Sequence, residues 1–505
     1  MNRLHPAALS RLPAEVARPG YDRQALRCGI VHLGVGAFQR AHLAAATEAA
    51  VQTSGDLRWG IAGVSLRHAD TRDALAPQGG LYTLALRDAA DDGTARETLQ
   101  IIGTLTQVLV APENPRAVLE RIAHIDTRIV SLTVTEKGYH HHPATGALRL
   151  DDTDIVHDLA NANPPRSTIG ILARGLEMRM HRGLPAVTLL SCDNLPANGR
   201  TLRGLVLAFA AQVGTELQQW IADRCTFPNS MVDRIVPRTT DADRQRITAT
   251  LGLHDAWPVI GEPFFDWVVE DRFAAGRPDW TAGGARFVDD AEPFERLKLR
   301  MVNGSHSTLA YLGAMAGYRT VDQAMAAPAL RGFIDTLMRD EIAPTLSGLN
   351  GLDLNAYCAR LLARFANPAL QHQTRQIAMD GSQKLPQRLL GTVRDRLRAG
   401  ASIDRLALAV AGWIHYLGGV DESGQPHTIE DPLSSALVDQ WVRANQAAAE
   451  ISDPTAAECQ RIAAFCNFTP VFGDLGGNPK FVQAVAAYTL RLRQRGVLAA
   501  LHETG

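Results

Sequence analysis

The sequence between residues 27 and 66 has the pattern of a βαβ unit, and this pattern restricts the possible folds more than any other feature. An apolar run that ends at Leu33 is followed by Gly34-Val-Gly36, and a helix-forming stretch begins at Ala37. A second apolar run, residues 59–66, follows that stretch. Because two strands joined by a helix pair in parallel through a right-handed crossover, this order predicts a parallel sheet.

The remaining chain divides into two parts with different patterns. Strand-like runs at residues 30–34, 61–66, 129–133 and 186–191 alternate with helical stretches up to about residue 285. From Glu292 onward, strand signals almost vanish and amphipathic helical patterns dominate. A chain of 505 residues also exceeds what one hydrophobic core usually serves. We therefore expect an α/β fold with a Rossmann-type dinucleotide-binding domain over residues 1–285 and a mostly α-helical substrate and catalytic domain over residues 286–505, with the active site in the cleft beyond the carboxyl ends of the strands.

Composition and charge exclude several classes of protein. The net charge is -2 and the basic residues are spread along the chain, so nucleic acid is not an expected partner. The arginine-rich run 388–398 is interpreted as a solvated helix face. No apolar run has the length of a membrane span, and the first residues lack the apolar stretch of a secretory signal. Six scattered cysteines suit reduced thiols, so we expect a cytoplasmic protein, either a monomer or a dimer, that acts on a small molecule.

The glycines after the first strand are candidates for binding a dinucleotide. Gly34 permits a tight turn, and Gly36 lets backbone N–H groups approach a pyrophosphate at the start of the helix that contains Ala37 and Phe38. The third glycine of G-x-G-x-x-G is absent, because Gln39 occupies its position. Alone, this half-motif is also compatible with a plain βα turn.

The residues after the second strand bear on the choice of cofactor. An acidic side chain there would hold the ribose hydroxyls, and Asp70 is the candidate. Arg67, three residues earlier, could instead favour the 2′-phosphate of NADP. We expect NAD as the cofactor, with NADP as the alternative.

Three polar residues lie in the otherwise apolar stretch that begins at Lys298. On an α-helix with Lys298 at zero, His306 lies at about 80° and Asn303 at about 140°, so all three share one wedge of the surface. A lysine with reduced hydration can act as a general base or acid, an amide can donate to an oxyanion, and an imidazole can hold a hydroxyl. Each residue alone also has a structural interpretation, as a snorkelling lysine, a capping asparagine or a core histidine.

Together these residues resemble the mannitol dehydrogenase family, the long-chain polyol and sugar-acid dehydrogenases, over nearly the whole chain. The segments that carry the resemblance are residues 34–42, 133–139, 191–199, 231–237 and 262–271, and the spacing Lys298-x4-Asn303-x2-His306. Within the family, residues 378–388 and Lys137 resemble the fructuronate reductase (mannonate oxidoreductase) branch more than mannitol 2-dehydrogenase. Gln39 departs from the family's usual residue at that position.

The resemblance implies an NAD-dependent oxidoreductase that interconverts a keto-sugar acid and a sugar acid, with D-fructuronate and D-mannonate as the leading pair. It implies that Lys298 is the general acid and base, and that Asn194 and Asn303 hold the reacting oxygen. His306, Asp233 and Lys384 would hold the other hydroxyls or a carboxylate, for which Lys137 is a second cation. The alternatives are mannitol or arabinitol 2-dehydrogenase and, as a different class, a catalytically silent binding protein of the same fold.

No metal site is expected. Three adjacent histidines, residues 140–142, could not readily converge on one ion, and neither H-E-x-x-H nor a cluster of cysteine and histidine ligands occurs. This pattern favours a metal-independent dehydrogenase in which the lysine ammonium takes the place of a Lewis acid.

Overall fold

The architecture was established from a computed structural model that describes residues 2–89, 95–142, 145–160, 164–349, 351–369 and 371–502. The chain forms two compact units, Met1–Glu295 and Arg296–Gly505. The division falls ten residues beyond the predicted boundary at 285, because the last strand and most of the helix that follows it belong to the first unit.

The first unit contains all the strands of the described chain. They are β1 (Ile30–Leu33), β2 (Ile61–Ser65), β3 (Tyr82–Ala89), β4 (Ala95–Ile102), β5 (Leu105–Val110), β6 (Ile129–Leu132), β7 (Thr188–Ser191), β8 (Ser230–Asp233), β9 (Val259–Gly261), β10 (Asp266–Glu270) and β11 (Ala285–Val288). Its helices are α1 (Ala37–Ala41), α2 (Leu43–Ser54), α3 (Asp70–Leu75), α4 (Pro115–Ile122), α5 (Thr153–Leu159), α6 (Thr168–His181), α7 (Asn198–Val213), α8 (Thr215–Arg224), α9 (Asp241–Leu251) and α10 (Glu292–Leu297), whose last two residues lie in the second unit.

A five-stranded, fully parallel sheet forms the centre of the first unit, with the order β5-β2-β1-β6-β7. Its strands β1, β2, β6 and β7 are buried along their whole length, as expected for parallel strands that are covered on both faces. Ile30 packs with α2 on one face, and Val31 packs with α6 and α7 on the other. The predicted Rossmann-type α/β fold is therefore confirmed.

Two smaller three-stranded sheets flank this centre, in the orders β11-β10-β8 and β4-β3-β9. Both combine parallel and antiparallel pairs. The central strand β1 lies between β2 and β6, so the chain turns to opposite sides of β1 at this point. Ligands of such sheets bind beyond the carboxyl ends of the strands at this switch point.

The regular elements of the second unit are all helices within its described residues, as predicted. Its α-helices are α11 (Ser305–Met315), α12 (Val321–Ala326), α13 (Pro328–Thr336), α14 (Leu354–Phe365), α15 (Thr374–Ala378), α16 (Gly381–Leu385), α17 (Gly391–Arg398), α18 (Asp404–Tyr416), α19 (Ser434–Ala448), α20 (Pro454–Cys466), α21 (Thr469–Phe472), α22 (Pro479–Arg495) and α23 (Val497–His502). One apolar core joins them, and α11 and α18 are buried on nearly every side within it. None of the described helices is both long and apolar enough to span a membrane.

Three segments of the second unit have the wider i→i+5 hydrogen bonding of a π-helix: Lys298–Gly304, Leu337–Ile342 and Pro386–Leu390. Such segments are rare in globular proteins and occur frequently at functional sites. The first and third of them contact each other, since a Cβ added to Gly304 would lie 2.8 Å from the carbonyl oxygen of Arg388.

Candidate active site

The glycine turn after β1 leaves its backbone open on one side. Gly34 has a φ of +94°, and a Cβ at this position would lie 2.1 Å from the carbonyl oxygen of Thr133, so the turn requires glycine. A Cβ at Gly36 would meet only the Gly34 oxygen, at 3.9 Å. Gly36 is the exposed N-cap residue of α1, and the first N–H groups of a helix have no partner within it. Gly34, Gly36, Ala37 and Phe38 thus form a turn that fits a pyrophosphate.

A buried hydrogen-bonded network connects β1 and β6 to the backbone of the glycine turn. The His32 ring contacts Ser131 Oγ through Nδ1 (2.8 Å) and Thr133 Oγ1 through Nε2 (2.9 Å). The Thr133 hydroxyl then donates to the Gly34 carbonyl oxygen, at 2.9 Å. Burial lowers the pKa of His32 to about 3, so the ring is neutral at physiological pH. Sequence reasoning did not single out His32, because a histidine in a buried strand carries no separate motif.

The helix after the turn is shorter than the sequence pattern indicates. It ends at Ala41, and a new helix begins after His42, whose φ and ψ are -115° and -88°. Phe38 stacks on the His42 ring across this break, with 4.8 Å between the ring centroids. Gln39 is fully buried, and neither atom of its amide has a hydrogen-bond partner within the described chain.

The candidate ribose ligand Asp70 is exposed and is the first residue of α3, just beyond the end of β2. Arg67 is also exposed and lies between β2 and Asp70. Asp70, which would favour NAD, and Arg67, which would favour NADP, therefore both lie at the carboxyl edge of the sheet.

Asp193, which follows β7, anchors the loop that follows β6. Its carboxylate accepts hydrogen bonds from the N–H groups of Val134 (3.0 Å) and Thr135 (3.0 Å) and from the hydroxyl of Tyr139 (2.8 Å). Thr135 has a φ of +64°, which is unusual for a β-branched residue, so these bonds hold a strained turn. Burial raises the pKa of the Asp193 carboxyl, while the three donors oppose that shift. Lys137 is exposed on this same loop.

Asn194 lies directly after Asp193 and is exposed at the carboxyl end of β7. Asn198 fixes the backbone around it, since its Nδ2 donates to the carbonyl oxygens of Asp193 (3.0 Å) and Ser230 (2.8 Å). Sequence reasoning assigned no role to Asp193 or Asn198, although both lie in the segment 191–199. The predicted substrate residue Asp233 is buried at the end of β8, in one of the smaller sheets.

The predicted catalytic helix begins as a π-helix rather than an α-helix. Lys298, Asn303 and the residues between them belong to the π-helical segment Lys298–Gly304, and His306 lies in the first turn of α11. The α-helical angles that place Asn303 at about 140° from Lys298 are therefore wrong. An i→i+5 turn advances each residue by less, so Asn303 lies about one full turn from Lys298, on the same side. This geometry keeps Lys298 and Asn303 on one side of the helix, and the role of the three residues stays a prediction.

Lys298 and Asn303 both lie largely out of bulk solvent. Only 9% of the surface of Lys298 is exposed. The Asn303 Nδ2 atom is buried and has no hydrogen-bond partner within the described residues. A buried amide donor without a partner costs stability, so an acceptor from a bound molecule is the natural partner for it.

The His306 ring is held between two other rings. It stacks on Phe365, with 5.0 Å between centroids, and meets His372 edge to face at 4.9 Å. The pKa of His306 is held well below its usual range, first by burial and then by the neighbouring His372, Arg388, Arg364 and Lys384. The ring is thus neutral and can offer one donor and one acceptor to a hydroxyl.

Lys384, in α16, lies close enough to lower the pKa of His306. Its amine donates to the carbonyl oxygens of Ile377 (3.2 Å) and Met379, and Asp380 is 4.0 Å away. Burial and then Arg388 lower the pKa of Lys384 to about 8. The second unit therefore brings Lys298, Asn303 and His306 onto one helical segment with Lys384 beside it.

One group of possible metal ligands occurs among the described residues, and it is not the run of three histidines. Ligand atoms of His140, Asp152 and Asp154 lie within 4.8 Å of one another. Asp152 already pairs with Arg149 and caps α5 by accepting from the Asp154 N–H at 3.1 Å. These bonds explain why the three side chains lie together: Asp152 caps the first turn of α5, and Asp154 belongs to that turn.

A parallel sheet with a glycine turn at its switch point is the arrangement of dinucleotide-binding Rossmann folds, and the separate helical unit contains the buried Lys298. Two family models cover most of the chain: the mannitol dehydrogenase Rossmann domain matches residues 28–282, and the mannitol dehydrogenase C-terminal domain matches residues 290–492. The chain belongs to the mannitol dehydrogenase family.

Individual relatives are similar over most of their length. D-mannonate oxidoreductase of Escherichia coli K12 is 44% identical over 493 residues, which cover 96% of this chain and 97% of the relative. Mannitol dehydrogenase 2 of Saccharomyces cerevisiae is 42% identical, with 86% of each chain covered. The solved structure of Pseudomonas fluorescens mannitol 2-dehydrogenase, a ternary complex with NAD and D-mannitol, is 38% identical, covers 99% of both chains and has a TM-score of 0.85.

Proposed function

We propose that this protein is an NAD-dependent oxidoreductase that reduces a keto-sugar acid to a sugar acid and catalyses the reverse reaction, with D-fructuronate and D-mannonate as the substrate pair. The observation that carries the reaction type is the π-helical segment, which puts buried Lys298 one turn from the unpartnered amide of Asn303. The similarity to D-mannonate oxidoreductase supports the substrate pair.

The turn after β1 would hold the cofactor. Gly34 and Gly36 leave room for a pyrophosphate, Ala37 and Phe38 begin the helix that faces it, and Asp70 would hold the ribose hydroxyls. When bound, NAD accepts the hydride in the oxidation direction, and NADH supplies it in reduction. NADP remains the alternative, because exposed Arg67 could contact a 2′-phosphate.

Lys298 handles the proton. As a free amine, Lys298 would remove the proton of the secondary hydroxyl during oxidation, at a position with only 9% of its surface exposed. In reduction its ammonium returns that proton to the new alkoxide. A positive charge at this position also stabilises the developing negative oxygen, which is the task of a Lewis acid in metal-dependent dehydrogenases. We therefore propose that catalysis needs no metal, and activity that persists after dialysis against a chelator would support this.

The amides of Asn194 and Asn303 are proposed to donate to the reacting oxygen. Donors that are positioned in advance stabilise a developing alkoxide without reorganising during the reaction. Neutral His306 and buried Asp233 would hold further hydroxyls of the sugar chain. Lys384 and Lys137 are the two lysines proposed to meet a substrate carboxylate.

A second function is supported by the relatives that are mannitol dehydrogenases. In this alternative the protein oxidises D-mannitol or D-arabinitol at C2, and Lys384 binds a hydroxyl instead of a carboxylate. A binding protein that has lost turnover is the third possibility, but a buried lysine beside an unpartnered amide gives such a protein no benefit.

An assay panel separates these functions. D-fructuronate, D-tagaturonate, D-fructose, D-mannitol and D-arabinitol are each tested with the NAD and NADP forms of the cofactor. The proposal expects the highest kcat/KM for D-fructuronate with NADH. A preference for fructose or mannitol would move the assignment to the polyol dehydrogenases, and binding of NADH without turnover of any of the five compounds would favour the silent protein.

A further inference from the structure

The guanidinium of Arg388 lacks a carboxylate partner. Arg388 lies in the π-helical segment Pro386–Leu390 and is partly buried. Its Nη1 donates to Ser307 Oγ at 2.9 Å, and no carboxylate of the described chain forms an ion pair with it. A guanidinium has five N–H donors, so one hydroxyl acceptor leaves most of them unused.

Two other partly buried arginines of the same unit are neutralised by carboxylates. Arg300 pairs with Asp395 at 2.7 Å, and Arg339 pairs with Asp335 at 2.6 Å. Burying a charge without a partner costs free energy, and this cost is avoided when a counter-charge is supplied. Arg388 has no such ion pair, so a carboxylate from a bound molecule would find its guanidinium available.

Arg388 lies beside the residues proposed to bind substrate. Its hydroxyl partner Ser307 directly follows His306, and its backbone contacts Gly304, which directly follows Asn303. Arg388 and Lys384 both depress the pKa of His306, so both cations are close to that ring. Two acids lie in the same region: Asp431 accepts from Ser382, and Asp380 is 4.0 Å from the Lys384 amine and also acts through its charge on Arg388, without forming an ion pair with the guanidinium.

We propose that Arg388 determines the charge specificity of the site, by binding the carboxylate of a sugar-acid substrate. This inference rests on the proposed function, which needs a carboxylate-binding cation. A planar guanidinium matches a carboxylate in a bidentate arrangement that an amine cannot copy. Lys384, one helical turn earlier, adds a second positive charge. The run 388–398, interpreted from sequence as a solvated face, thus begins with a residue that faces the site.

The test compares two substrates that differ in charge. The kcat/KM values for D-fructuronate and for D-fructose are measured in the wild type, in Arg388→Met and in Arg388→Lys. A charge-assisted hydrogen bond corresponds to about one to two orders of magnitude in specificity. We expect the ratio of kcat/KM for D-fructuronate to that for D-fructose to fall by about 10- to 100-fold in Arg388→Met. The ratio should be partly restored in Arg388→Lys, because lysine returns the positive charge but not the bidentate guanidinium.

The matched control is Arg339→Met, which removes an equally long, partly buried cation of the same unit away from His306. This control should leave the ratio of the two kcat/KM values unchanged. If Arg388→Met does not fold, as judged by thermal unfolding, the ratio in Arg388→Lys decides the question, and a drop of about three- to tenfold is expected.

Two results would overturn the inference, and a third result concerns the proposed function. Equal losses on both substrates would show that Arg388 only supports the fold. An unchanged ratio in a folded variant would show that the carboxylate binds elsewhere, with Lys137→Met and Lys384→Met as the next variants. A wild type that does not turn over D-fructuronate would refute the proposed function itself, and the wild-type measurement is made first for this reason.

Discussion

Lys298 is one of only four lysines among the 51 basic residues of the chain, and the others are at positions 137, 384 and 480. Arginine supplies the positive charge almost everywhere else. Arginine does not release its proton in proteins, whereas an amine can. Three of the four lysines lie in the segments that resemble the mannitol dehydrogenase family. This distribution agrees with a site that uses an amine for its chemistry and not only for its charge.

Replacing Lys298 by alanine should remove turnover in both directions and preserve cofactor binding. Loss of a general acid or base lowers the rate by ~10²–10⁴, and the proposed contact of Lys298 is with the hydroxyl. The checks are steady-state kinetics and the Kd for NADH, which should stay within a few-fold of the wild type. Lys480→Ala removes an exposed lysine and is the control. Turnover within tenfold of the wild type, or a parallel collapse of NADH binding, would refute the assignment.

The lowered pKa of Lys384 predicts a pH dependence of specificity. Its amine is charged below a pKa of about 8 and neutral above it. The attraction for a carboxylate is therefore present below pH 8 and weakens as the pH rises through that value. The ratio of kcat/KM for D-fructuronate to that for D-fructose should fall between pH 7 and pH 9, and titrations shared by both substrates cancel in the ratio. In Lys384→Met this fall should disappear; a ratio that still falls with pH in that variant would place the titrating group elsewhere.

At the scale of elements, the sequence predicted four of the five strands of the parallel sheet, because each of the four is a short apolar run bounded by turn residues. The edge strand β5 was not predicted, since its four central residues are only partly buried and include Thr106 and Gln107. The predicted runs 30–34, 61–66, 129–133 and 186–191 match β1, β2, β6 and β7 to within two residues at each end. The two smaller sheets were not predicted, and one of their pairings joins strands that are far apart in sequence. In this pairing, Leu84 pairs with Val259.

The candidate site was predicted in residue identity but not in backbone geometry. Lys298, Asn303 and His306 were recognised by their spacing, yet nothing local in the sequence distinguished the π-helix from an α-helix. The π-helical segment packs against a part of the chain that is distant in sequence, at the backbone of Arg388. Arg388 itself was misinterpreted for a similar reason. In the sequence Arg388 begins a run of arginines, and only the folded structure shows its contact with Ser307.

The His32 network predicts that the β1 strand controls affinity for the cofactor. His32→Leu removes the ring that links Ser131 to Thr133, and Thr133 then loses one of the bonds that orient its hydroxyl toward Gly34. We expect the Kd for NADH to rise about tenfold, corresponding to one lost hydrogen bond, with a smaller change in kcat.

The control for this variant is Tyr21→Phe, which removes a partly buried hydrogen bond to Glu48 (2.9 Å) outside the glycine turn. Both variants should lower the free energy of unfolding, but only His32→Leu should weaken NADH binding, as measured by fluorescence titration. Equal NADH affinities for the two variants would show that the His32 network serves stability alone.

At the scale of the whole molecule, each unit has its own hydrophobic core. The apolar clusters around the parallel sheet are built from residues of the first unit only, and the large helical cluster is built from residues 297–501. The proposed cofactor residues all belong to the first unit, whereas Lys298, Asn303, His306 and Lys384 belong to the second. Cofactor binding and proton transfer are thus assigned to parts of the chain that could fold separately.

A fragment of residues 1–297, which keeps the whole of α10, should therefore fold and bind NADH but show no turnover. The expected Kd lies within about tenfold of the full-length value, which is about 1.4 kcal/mol. Circular dichroism and fluorescence titration measure folding and binding. The control is the same fragment with Gly34→Ala, whose added Cβ would collide with the Thr133 oxygen at 2.1 Å and should abolish binding. A folded fragment that does not bind NADH would contradict the assignment of the cofactor to this unit alone.

The π-helical segment Lys298–Gly304 also affects how the gene can change. A wide turn accommodates one more residue than an α-turn at nearly the same length, so loss of a single codon within it would restore ordinary helical pitch. The helix after the deletion would keep its orientation, because five residues of a π-helix and four residues of an α-helix each complete about one turn. A one-codon deletion between Lys298 and Asn303 would therefore leave His306 on the same face, whereas a deletion in the α-helical part of the helix would rotate every later side chain by about 100°. The wide turn is thus the place in this helix where the number of residues can change by one with the least displacement of the side chains that follow.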